Sequence, residues 1–203
     1  MFTGLIETKG RIVSISREIL VVQPENGFDV SKGDSIAVDG SCLTAADIKG
    51  DKLEFFFSHH TRSKTIIPGY FSGAHVNLER SMQLSDRLHG HIVTGHIDET
   101  GRVLSIEKTG DSTEIRFSFS SGFSSLLVEK GSVAVSGISL TIASLSSGRF
   151  SAVLIPETLS VTTAGSWKPG THVNLEYDII GKYIRRQFTA TSNAERLREY
   201  LEQ

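Results

Sequence analysis

The sequence predicts an all-β protein of two tandem six-stranded antiparallel closed barrels, related by internal duplication and followed by a helical segment. A repeat is the first observation behind this prediction: GAHVNLE at 73–79 returns as GTHVNLE at 170–176. The second is a series of short runs rich in Val, Ile, Phe and Thr between clusters of Gly, Asp, Ser and Asn. The third is that no long helical pattern separates these runs, which favours an antiparallel barrel over a parallel sheet.

The repeat extends over most of the chain. TGLIETKGRIVSI at 3–15 matches TGHIDETGRVLSI at 94–106 with an offset of 91 residues, whereas later blocks match with an offset of 97, so six additional residues enter the second half between these blocks. A chain of 203 residues has room for two small domains of about 100 residues each. The repeat places them at 1–88 and 89–178, and leaves 179–203 as a C-terminal helical segment.

Each half is predicted to contain six strands. In the first half they are 11–16, 18–23, 34–40, 42–48, 52–58 and 75–79. In the second half they are 102–107, 113–119, 132–137, 139–145, 149–155 and 172–177. The strongest hairpin signals are Asp39-Gly40 and its counterpart Ser136-Gly137, because a two-residue hairpin turn needs positive φ at these positions.

Helical patterns are few and short. Residues 122–128 and the segments around Thr61 and Thr158 are each expected to hold one or two turns. The tail after Asp178 is predicted to be helical, because an apolar stripe recurs in it at spacings of three and four. The stripe consists of Ile180, Tyr183, Ile184, Gln187 and Phe188. A lone helix this short is marginal in water, so the stripe is expected to cover either its own barrel or a second copy of the chain.

A second helix is predicted at the end of the tail. Ser192 and Glu195 have the spacing of a capping box, which starts a helix. That helix would carry Leu197, Tyr200 and Leu201 on one face.

Composition excludes several classes of protein. Hydrophobic residues at 38% and charged residues at 22% are typical of a globular chain and argue against disorder. No window approaches the length of a membrane span, and the MFTGLIETKG start lacks the layout of a signal peptide. A formal charge of −2 gives no electrostatic footprint for nucleic acid or an anionic membrane. The single cysteine agrees with a reducing compartment, so the expected location is the cytoplasm.

The informative positions are those where the two halves differ inside matched blocks. Four such pairs stand out: Cys42 and Ser139, Leu5 and His96, Phe2 and Val93, and Ser81 and Asp178. Each pair alone is explained by ordinary drift. Together they indicate two similar pockets that treat their ligands differently.

The histidines allow a metal site as an alternative interpretation. His59, His60, His89, His91 and His96 lie close in sequence and could supply nitrogen ligands for zinc. No carboxylate or thiol stands at a recognised ligand spacing, so no metal is predicted. The sequence also contains no GxGxxG, Walker or GxSxG motif, and therefore no sign of a dinucleotide or nucleoside triphosphate site.

Five motifs in order give the chain a family resemblance. They are MFTG at the start, GSCLT at 40–44, GHIVTGH at 90–96, GISLT at 137–141 and IPETL at 155–159. With them the chain resembles the riboflavin synthase family, alpha-chain type, over essentially its full length. The resemblance implies Greek-key lumazine-binding barrels, a C-terminal helix that assembles a homotrimer, and a transferase of riboflavin biosynthesis. Two molecules of 6,7-dimethyl-8-ribityllumazine would give riboflavin and 5-amino-6-ribitylaminouracil without a metal or redox cofactor.

The resemblance also implies which residues line the two pockets. For the first pocket they are Phe2, Gly4, Leu5, Ile6, Cys42, Leu43, Thr44, Phe56, Phe57, Ser58, His59, His60 and Thr61. For the second they are His96, Ile97, Asp98, Lys130, Ser139, Leu140, Thr141, Leu154, Ile155, Pro156, Glu157 and Thr158. The working face would join the first barrel of one subunit to the second barrel of another.

Four residues are the catalytic candidates. His96 is the expected proton shuttle, because the ordinary histidine pKa lies near neutrality. Cys42 or Ser139 would deliver or activate the adding nucleophile, and Asp178 would reach across the subunit contact to orient a proton or stabilise a cation.

The chain departs from the family pattern at three places. They are His89, where the family has glycine; Ser136, where it has an acidic or amide residue; and His60-Thr61-Arg62, where it has a segment like the Glu157-Thr158-Leu159 of the second half. The last departure puts the affinity of the first pocket in question. A non-catalytic lumazine- or flavin-binding antenna protein on the same barrels is the alternative function, and association with lumazine synthase is left open.

Overall fold

Two closed six-stranded antiparallel barrels form the body of the computed structural model, which describes residues 1–188. Barrel one consists of β1 (Thr8–Ile15), β2 (Ile19–Pro24), β3 (Ser35–Val38), β4 (Ser41–Lys49), β5 (Lys52–Phe56) and β6 (His75–Arg80). Barrel two consists of β7 (Glu99–Thr109), β8 (Ser112–Ser118), β9 (Ser132–Val135), β10 (Ile138–Ser146), β11 (Arg149–Leu154) and β12 (His172–Tyr177). The predicted fold class is confirmed.

Both barrels have the same strand order. Around barrel one it is β1-β2-β5-β4-β3-β6, and barrel two repeats this order with β7 to β12. Strands that are neighbours in sequence are not always neighbours in the barrel, as in a Greek key. The additional residues of the second half lengthen the β7–β8 hairpin and the loop between β8 and β9.

The two predicted hairpin turns join β3 to β4 and β9 to β10. Asp39 and Gly40 have φ values of 42° and 78°, and Ser136 and Gly137 have φ values of 44° and 82°. Positive φ at both central residues is the type I′ geometry, which matches the twist of the flanking strands. The turns place Cys42 of β4 and Ser139 of β10 at the start of equivalent strands.

Short helices occupy the positions that the sequence indicates. Helix α1 (His59–Lys64) begins at Ser58, whose hydroxyl accepts a hydrogen bond from the Thr61 N–H, and helix α2 (Pro156–Val161) begins with a proline. Short 3₁₀ segments lie at Ile67–Gly69, Ser121–Leu126 and Thr163–Ser166. The tail is helical from 179 to 188 (α3), as predicted, whereas the predicted Ser192 capping box lies outside the described residues. No helix within 1–188 is long and apolar enough to cross a membrane.

Each barrel has a core of its own. The period of two along a strand sends alternate side chains inward. In β4, for example, Leu43 and Ala45 are buried in the core of barrel one, whereas Cys42 is half-buried and Thr44 is exposed on the outer surface. In barrel two the inner residues of β10 pack with an aromatic cluster in which the Phe117 and Phe150 rings stack 5.1 Å apart.

The repeated HVNLE phrase supplies the contact between the barrels. Asn77 of β6 donates from Nδ2 to the Ser136 carbonyl at 2.9 Å, and its Oδ1 accepts the Thr163 N–H at 2.7 Å. Asn174 of β12 makes the corresponding bonds: its Nδ2 donates to the Asp39 carbonyl at 2.8 Å, and its Oδ1 accepts the Ile66 N–H at 2.8 Å. Both asparagines are fully buried. The phrase therefore occurs twice because each copy bonds to the opposite barrel.

Candidate active site

The segments ahead of β1 and β7 cross between the barrels. Phe2 and Val93 pair as a short antiparallel bridge at the centre of the molecule. Beyond this bridge the Gly4 carbonyl accepts the N–H of Ser139 at 2.8 Å, and the Gly95 carbonyl accepts the N–H of Cys42 at 2.9 Å. The first half thus supplies a segment to barrel two, and the second half supplies one to barrel one.

Glycine is required at both crossing points. Gly4 and Gly95 have φ values of 79° and 80°, in the left-handed region that favours glycine. A Cβ added to Gly4 would lie 2.6 Å from the Cβ of Ser139, and one added to Gly95 would lie 2.5 Å from the Cβ of Cys42. The TG pairs of the sequence repeat therefore let the backbone approach the outer faces of β10 and β4.

The second-barrel site is the region around Ser139 together with segment 3–6. The Ser139 Oγ and the His91 Nδ1 are 2.7 Å apart, within hydrogen-bond distance. His91 is buried, and its Nε2 has no hydrogen-bond partner among the described residues. Burial lowers the pKa of His91, while the charge of Asp178 opposes this shift. A neutral imidazole bonded to a hydroxyl is an arrangement for taking a proton from that hydroxyl or from a water beside it.

The first-barrel site is the region around Cys42 together with segment 95–97. Cys42 is half-buried and packs against the central cluster that contains Phe2 and Val93. His96 follows Gly95 and is exposed. The two sites thus share one backbone plan, but one carries a thiol and the other a serine bonded to a histidine.

The division of residues between the two pockets is wrong for the crossing segments. The resemblance groups Gly4, Leu5 and Ile6 with Cys42, whereas the backbone hydrogen bonds place Gly4 beside Ser139. Ile6 also packs against the core of barrel two. Conversely, His96 and Ile97 continue from Gly95 beside Cys42, not beside Ser139. A sequence repeat matches equivalent residues but does not show which barrel a connecting segment covers.

Several predicted pocket residues point away from the outer surface. Phe2 is fully buried between the barrels and so packs instead of presenting its ring to a ligand. Alternation along the strands has the same effect on four more side chains, which lie inside the barrel cores: Leu43, Phe57, Leu140 and Leu154. Only backbone groups of these four remain available to a ligand.

The remaining predicted residues lie on the outside of the two barrels. Those of barrel one are Thr44, Phe56, Ser58, His59, His60 and Thr61, and those of barrel two are Lys130, Thr141, Ile155, Pro156, Glu157 and Thr158. Lys130 has a φ of 65°, although it is not a glycine. Its counterpart in barrel one is Gly33, whose φ is 97°. A lysine is uncommon in this conformation, which favours glycine.

Asp98 and Asp178 have structural partners. The Asp98 carboxylate accepts the Tyr177 N–H at 2.8 Å and forms an ion pair with Lys182 at 2.6 Å, so it helps to anchor α3. Asp178 accepts the Ile180 N–H at 2.9 Å, as the N-cap of α3. This cap places the Asp178 charge close enough to His91 to affect its pKa.

His91 is the residue that comparison of the two halves missed. At the offset of 91 its counterpart would precede Met1, so the first half offers nothing to compare with it. The sequence showed it as one member of a histidine cluster with zinc-like chemistry and inside the GHIVTGH motif at 90–96. In the structure a Cβ on the preceding Gly90 would lie 2.0 Å from the Thr3 carbonyl oxygen, so only glycine fits there.

Comparison with known proteins gives consistent matches. The family model described as lumazine binding domain matches twice, at residues 3–81 and 94–178. The riboflavin synthase of Actinobacillus pleuropneumoniae is 38% identical over 191 residues, which are 92% of this chain and 89% of that protein. The riboflavin synthase of Mycobacterium bovis is 38% identical, and the match spans 92% of this chain and 97% of that protein. The riboflavin synthase of Bacillus subtilis is 37% identical, and the match spans 92% of this chain and 89% of that protein.

Solved structures match the fold. LumP complexed with 6,7-dimethyl-8-(1'-D-ribityl) lumazine superposes with a TM-score of 0.77 at 24% identity, covering 87% of this chain and 98% of that chain. LumP complexed with riboflavin gives a TM-score of 0.78 at 24% identity, with coverage of 87% and 99%. The double barrel is therefore an architecture already seen in ligand-bound proteins.

Proposed function

Because the chain belongs to the lumazine-binding domain family, we propose that it is a riboflavin synthase, a transferase that acts on two molecules of 6,7-dimethyl-8-ribityllumazine. A four-carbon unit passes from one lumazine to the other and gives riboflavin and 5-amino-6-ribitylaminouracil, the last step of riboflavin biosynthesis. Identity of 38% over 92% of the chain to proteins of that name supports this activity. The two family matches, one in each half, support one ligand site on each barrel.

One observation carries the proposal: the two sites have the same backbone plan and different reactive groups. A reaction between two copies of one molecule needs two similar sites, because each copy must be held in the same way. It also needs unequal chemistry, because one copy loses the four-carbon unit and the other gains it. Cys42 on one barrel and the Ser139–His91 pair on the other meet both needs.

The reaction consumes no oxidant or reductant, since the atoms of the two substrates are all present in the two products. No cofactor or metal is therefore part of the proposal. Much of the rate would come from holding the two heterocycles against each other, as well-oriented reactions reach effective molarities of about 10⁵ M or more. The remaining demand is for proton transfer and for addition of a nucleophile to one ring.

The Ser139–His91 pair supplies both functions in the proposed mechanism. Neutral His91 accepts a proton from the Ser139 hydroxyl, or from a water beside it, as the oxygen adds to the lumazine of barrel two. In a later step that C–O bond breaks and the imidazolium returns the proton to the leaving oxygen, so that neither is consumed; Asp178 stabilises the imidazolium while it exists. His96 remains the candidate for proton transfer to and from the 7-methyl group of the lumazine on barrel one, and Cys42 remains the alternative candidate for delivering or activating the nucleophile.

The proposed working unit is an assembly in which barrel one of one subunit faces barrel two of another. Both sites lie on outer barrel surfaces, so a bound heterocycle in a single chain would keep one face in water. Helix α3 supports self-association, because Tyr183 and Phe188 of its stripe are 69% and 74% exposed and thus do not cover their own barrel. The trimer and the cytoplasmic location come from the family resemblance and from the single cysteine.

A direct assay tests the proposal. The purified chain is mixed with 6,7-dimethyl-8-ribityllumazine without any added cofactor, and the absorbance is followed for riboflavin. We expect about one riboflavin for two lumazines consumed, as the stoichiometry of the reaction requires. Stable lumazine fluorescence without product would favour the antenna function. Absence of both binding and product would show that this chain does not use lumazine as its ligand.

A further inference from the structure

Each crossing segment is held by a buried glutamate. The Glu79 carboxylate of β6 accepts the Thr3 N–H at 2.6 Å, the Thr3 hydroxyl at 2.8 Å and the Gly4 N–H at 3.1 Å. The Glu176 carboxylate of β12 accepts the Thr94 N–H and hydroxyl, both at 2.6 Å, and the Gly95 N–H at 2.9 Å. Glu79 and Glu176 are 3% and 2% exposed. These are the glutamates of the repeated HVNLE phrase.

The segment that Glu79 holds touches both members of the catalytic pair proposed above. The Thr3 carbonyl accepts the His91 N–H at 3.1 Å, and the Gly4 carbonyl accepts the Ser139 N–H at 2.8 Å. Glu79 belongs to barrel one, whereas Ser139 belongs to barrel two. The position of the Ser139–His91 pair is thus tied to a carboxylate on the opposite barrel.

The segment that Glu176 holds has the reverse arrangement. Its Gly95 carbonyl accepts the Cys42 N–H at 2.9 Å, and His96 follows directly. Glu176 belongs to barrel two and Cys42 to barrel one. Burial raises the pKa of both glutamates, while the N–H and hydroxyl donors lower it.

We propose that Glu79 and Glu176 are crossed positioning residues, each of which sets the geometry of the reactive site on the opposite barrel. Glu79 positions Ser139 and His91 through Thr3 and Gly4, and Glu176 positions Cys42 through Gly95. Their relation to catalysis rests on the proposed function, whereas the crossed positioning itself is a property of the fold. Three hydrogen-bond donors point at each carboxylate. A glutamine at either position would direct its NH₂ group, which is itself a donor, at one of them, and that hydrogen bond would be lost. The segment would then move off the strand below it.

Thiol labelling measures each site separately. Cys42 is the only cysteine of the chain and reports on barrel one. In a Cys42→Ser, Ser139→Cys background the thiol at position 139 reports on barrel two. Glu79→Gln and Glu176→Gln are introduced into each background of the full-length chain, and the rate of reaction with a maleimide is measured. Glu54→Gln is the matched control, because the Glu54 carboxylate on β5 bonds to Lys49 and not to a crossing segment.

The crossed pattern is the expected result. Glu79→Gln should raise labelling at position 139 by about 10- to 100-fold, the factor expected for local opening after hydrogen bonds to a charged group are weakened, and leave Cys42 unchanged. Glu176→Gln should do the reverse. Faster labelling on the glutamate's own barrel, or an equal increase at both positions, would overturn the proposal. Glu54→Gln should change neither rate.

A milder pair of variants keeps the test decisive if the glutamine variants do not fold. Thr3→Val and Thr94→Val each remove the hydroxyl donated to the glutamate, and Thr3→Val also removes the acceptor of the Leu5 N–H. Both should show the same crossed pattern with smaller increases. Turnover gives a separate readout: in the otherwise native chain Glu79→Gln should lower kcat more than it raises KM. If the native chain makes no riboflavin, the proposed function fails while the labelling pattern still decides the crossed positioning.

Discussion

At the scale of single residues, His91 decides whether the proposed chemistry is correct. His91→Ala removes the partner of the Ser139 hydroxyl, so kcat for riboflavin formation should fall by about 10²- to 10⁴-fold, the usual contribution of a positioned acid or base. Because the proposed base is the neutral imidazole, the wild-type rate should fall at low pH. Burial lowers the pKa of His91 below its ordinary 6.5, so this fall should begin below that value.

Steady-state assays between pH 5 and pH 8 measure both effects. His89→Ala is the matched control, because His89 is exposed and lies two residues from His91. Equal rates in His91→Ala and the wild-type chain would remove His91 from the mechanism and leave His96 as the remaining histidine candidate.

Asp39 is the second residue with an unusual environment. It is buried in the turn between β3 and β4, where its carboxylate accepts the Asn77 N–H at 2.8 Å and the Tyr70 hydroxyl at 2.7 Å. Burial raises its pKa from 3.8 to about 7. The folded chain therefore holds this proton more tightly than the unfolded chain. The resulting stability is fully present below about pH 4 and is lost as the pH rises through about 7.

The replacement Asp39→Asn should remove this pH dependence, since an amide resembles the protonated acid. Relative to Asp39→Asn, the wild-type free energy of unfolding should fall by about 3 kcal/mol between pH 4 and pH 7, because each unit of pKa is worth about 1.36 kcal/mol and part of the change lies outside this range. Urea denaturation across this range measures the difference. Asp111→Asn, at an exposed position, should follow the wild-type curve. Parallel curves for Asp39→Asn and the wild-type chain would contradict the raised pKa.

At the scale of elements, β6 and β12 join the two barrels into one unit through their asparagines. Asn77→Ala would leave the Thr163 N–H and the Ser136 carbonyl buried without their partner. Each unsatisfied buried group costs about 1–3 kcal/mol, so the loss of two partners should lower the free energy of unfolding by about 2–6 kcal/mol. The midpoint of chemical denaturation measures this loss. Asn26→Ala, at an exposed position, is the control, and an equal midpoint in both variants would show that the bonds across the barrels contribute nothing.

The elements were predictable because their patterns are local. Runs of β-branched and aromatic residues located all the strands, and the Asp39-Gly40 and Ser136-Gly137 pairs located the turns. The crossing of the segments ahead of β1 and β7 was not predictable, because a repeat relates equivalent positions and says nothing of which barrel each segment covers. Asp98 was likewise placed in the pocket by the family resemblance, whereas the fold pairs its carboxylate with Lys182.

At the scale of the whole molecule, the prediction that copies of the chain assemble rests on α3. Its stripe is exposed on the single chain: Ile180, Tyr183, Ile184 and Phe188 are 56%, 69%, 52% and 74% exposed. Ile184→Glu would place a charge in a contact between copies, so the variant should sediment as a monomer while the wild-type chain sediments as an oligomer. Arg186→Gln changes the net charge by the same amount at another exposed position of α3 and should leave the assembly intact. A wild-type chain that sediments as a monomer would contradict the assembly.

Subunit mixing tests whether the reactive face is shared between chains. His91→Ala disables the barrel-two site, and Thr44→Trp fills the outer face of β4 beside Cys42, so each variant alone should form little riboflavin. If barrel one of one subunit faces barrel two of another, co-expressed chains will include faces built from the two intact barrels. Random pairing makes about a quarter of the faces intact, so the mixture should recover about that fraction of wild-type turnover. A site contained within one chain would recover nothing, because every chain in the mixture carries one disabled barrel.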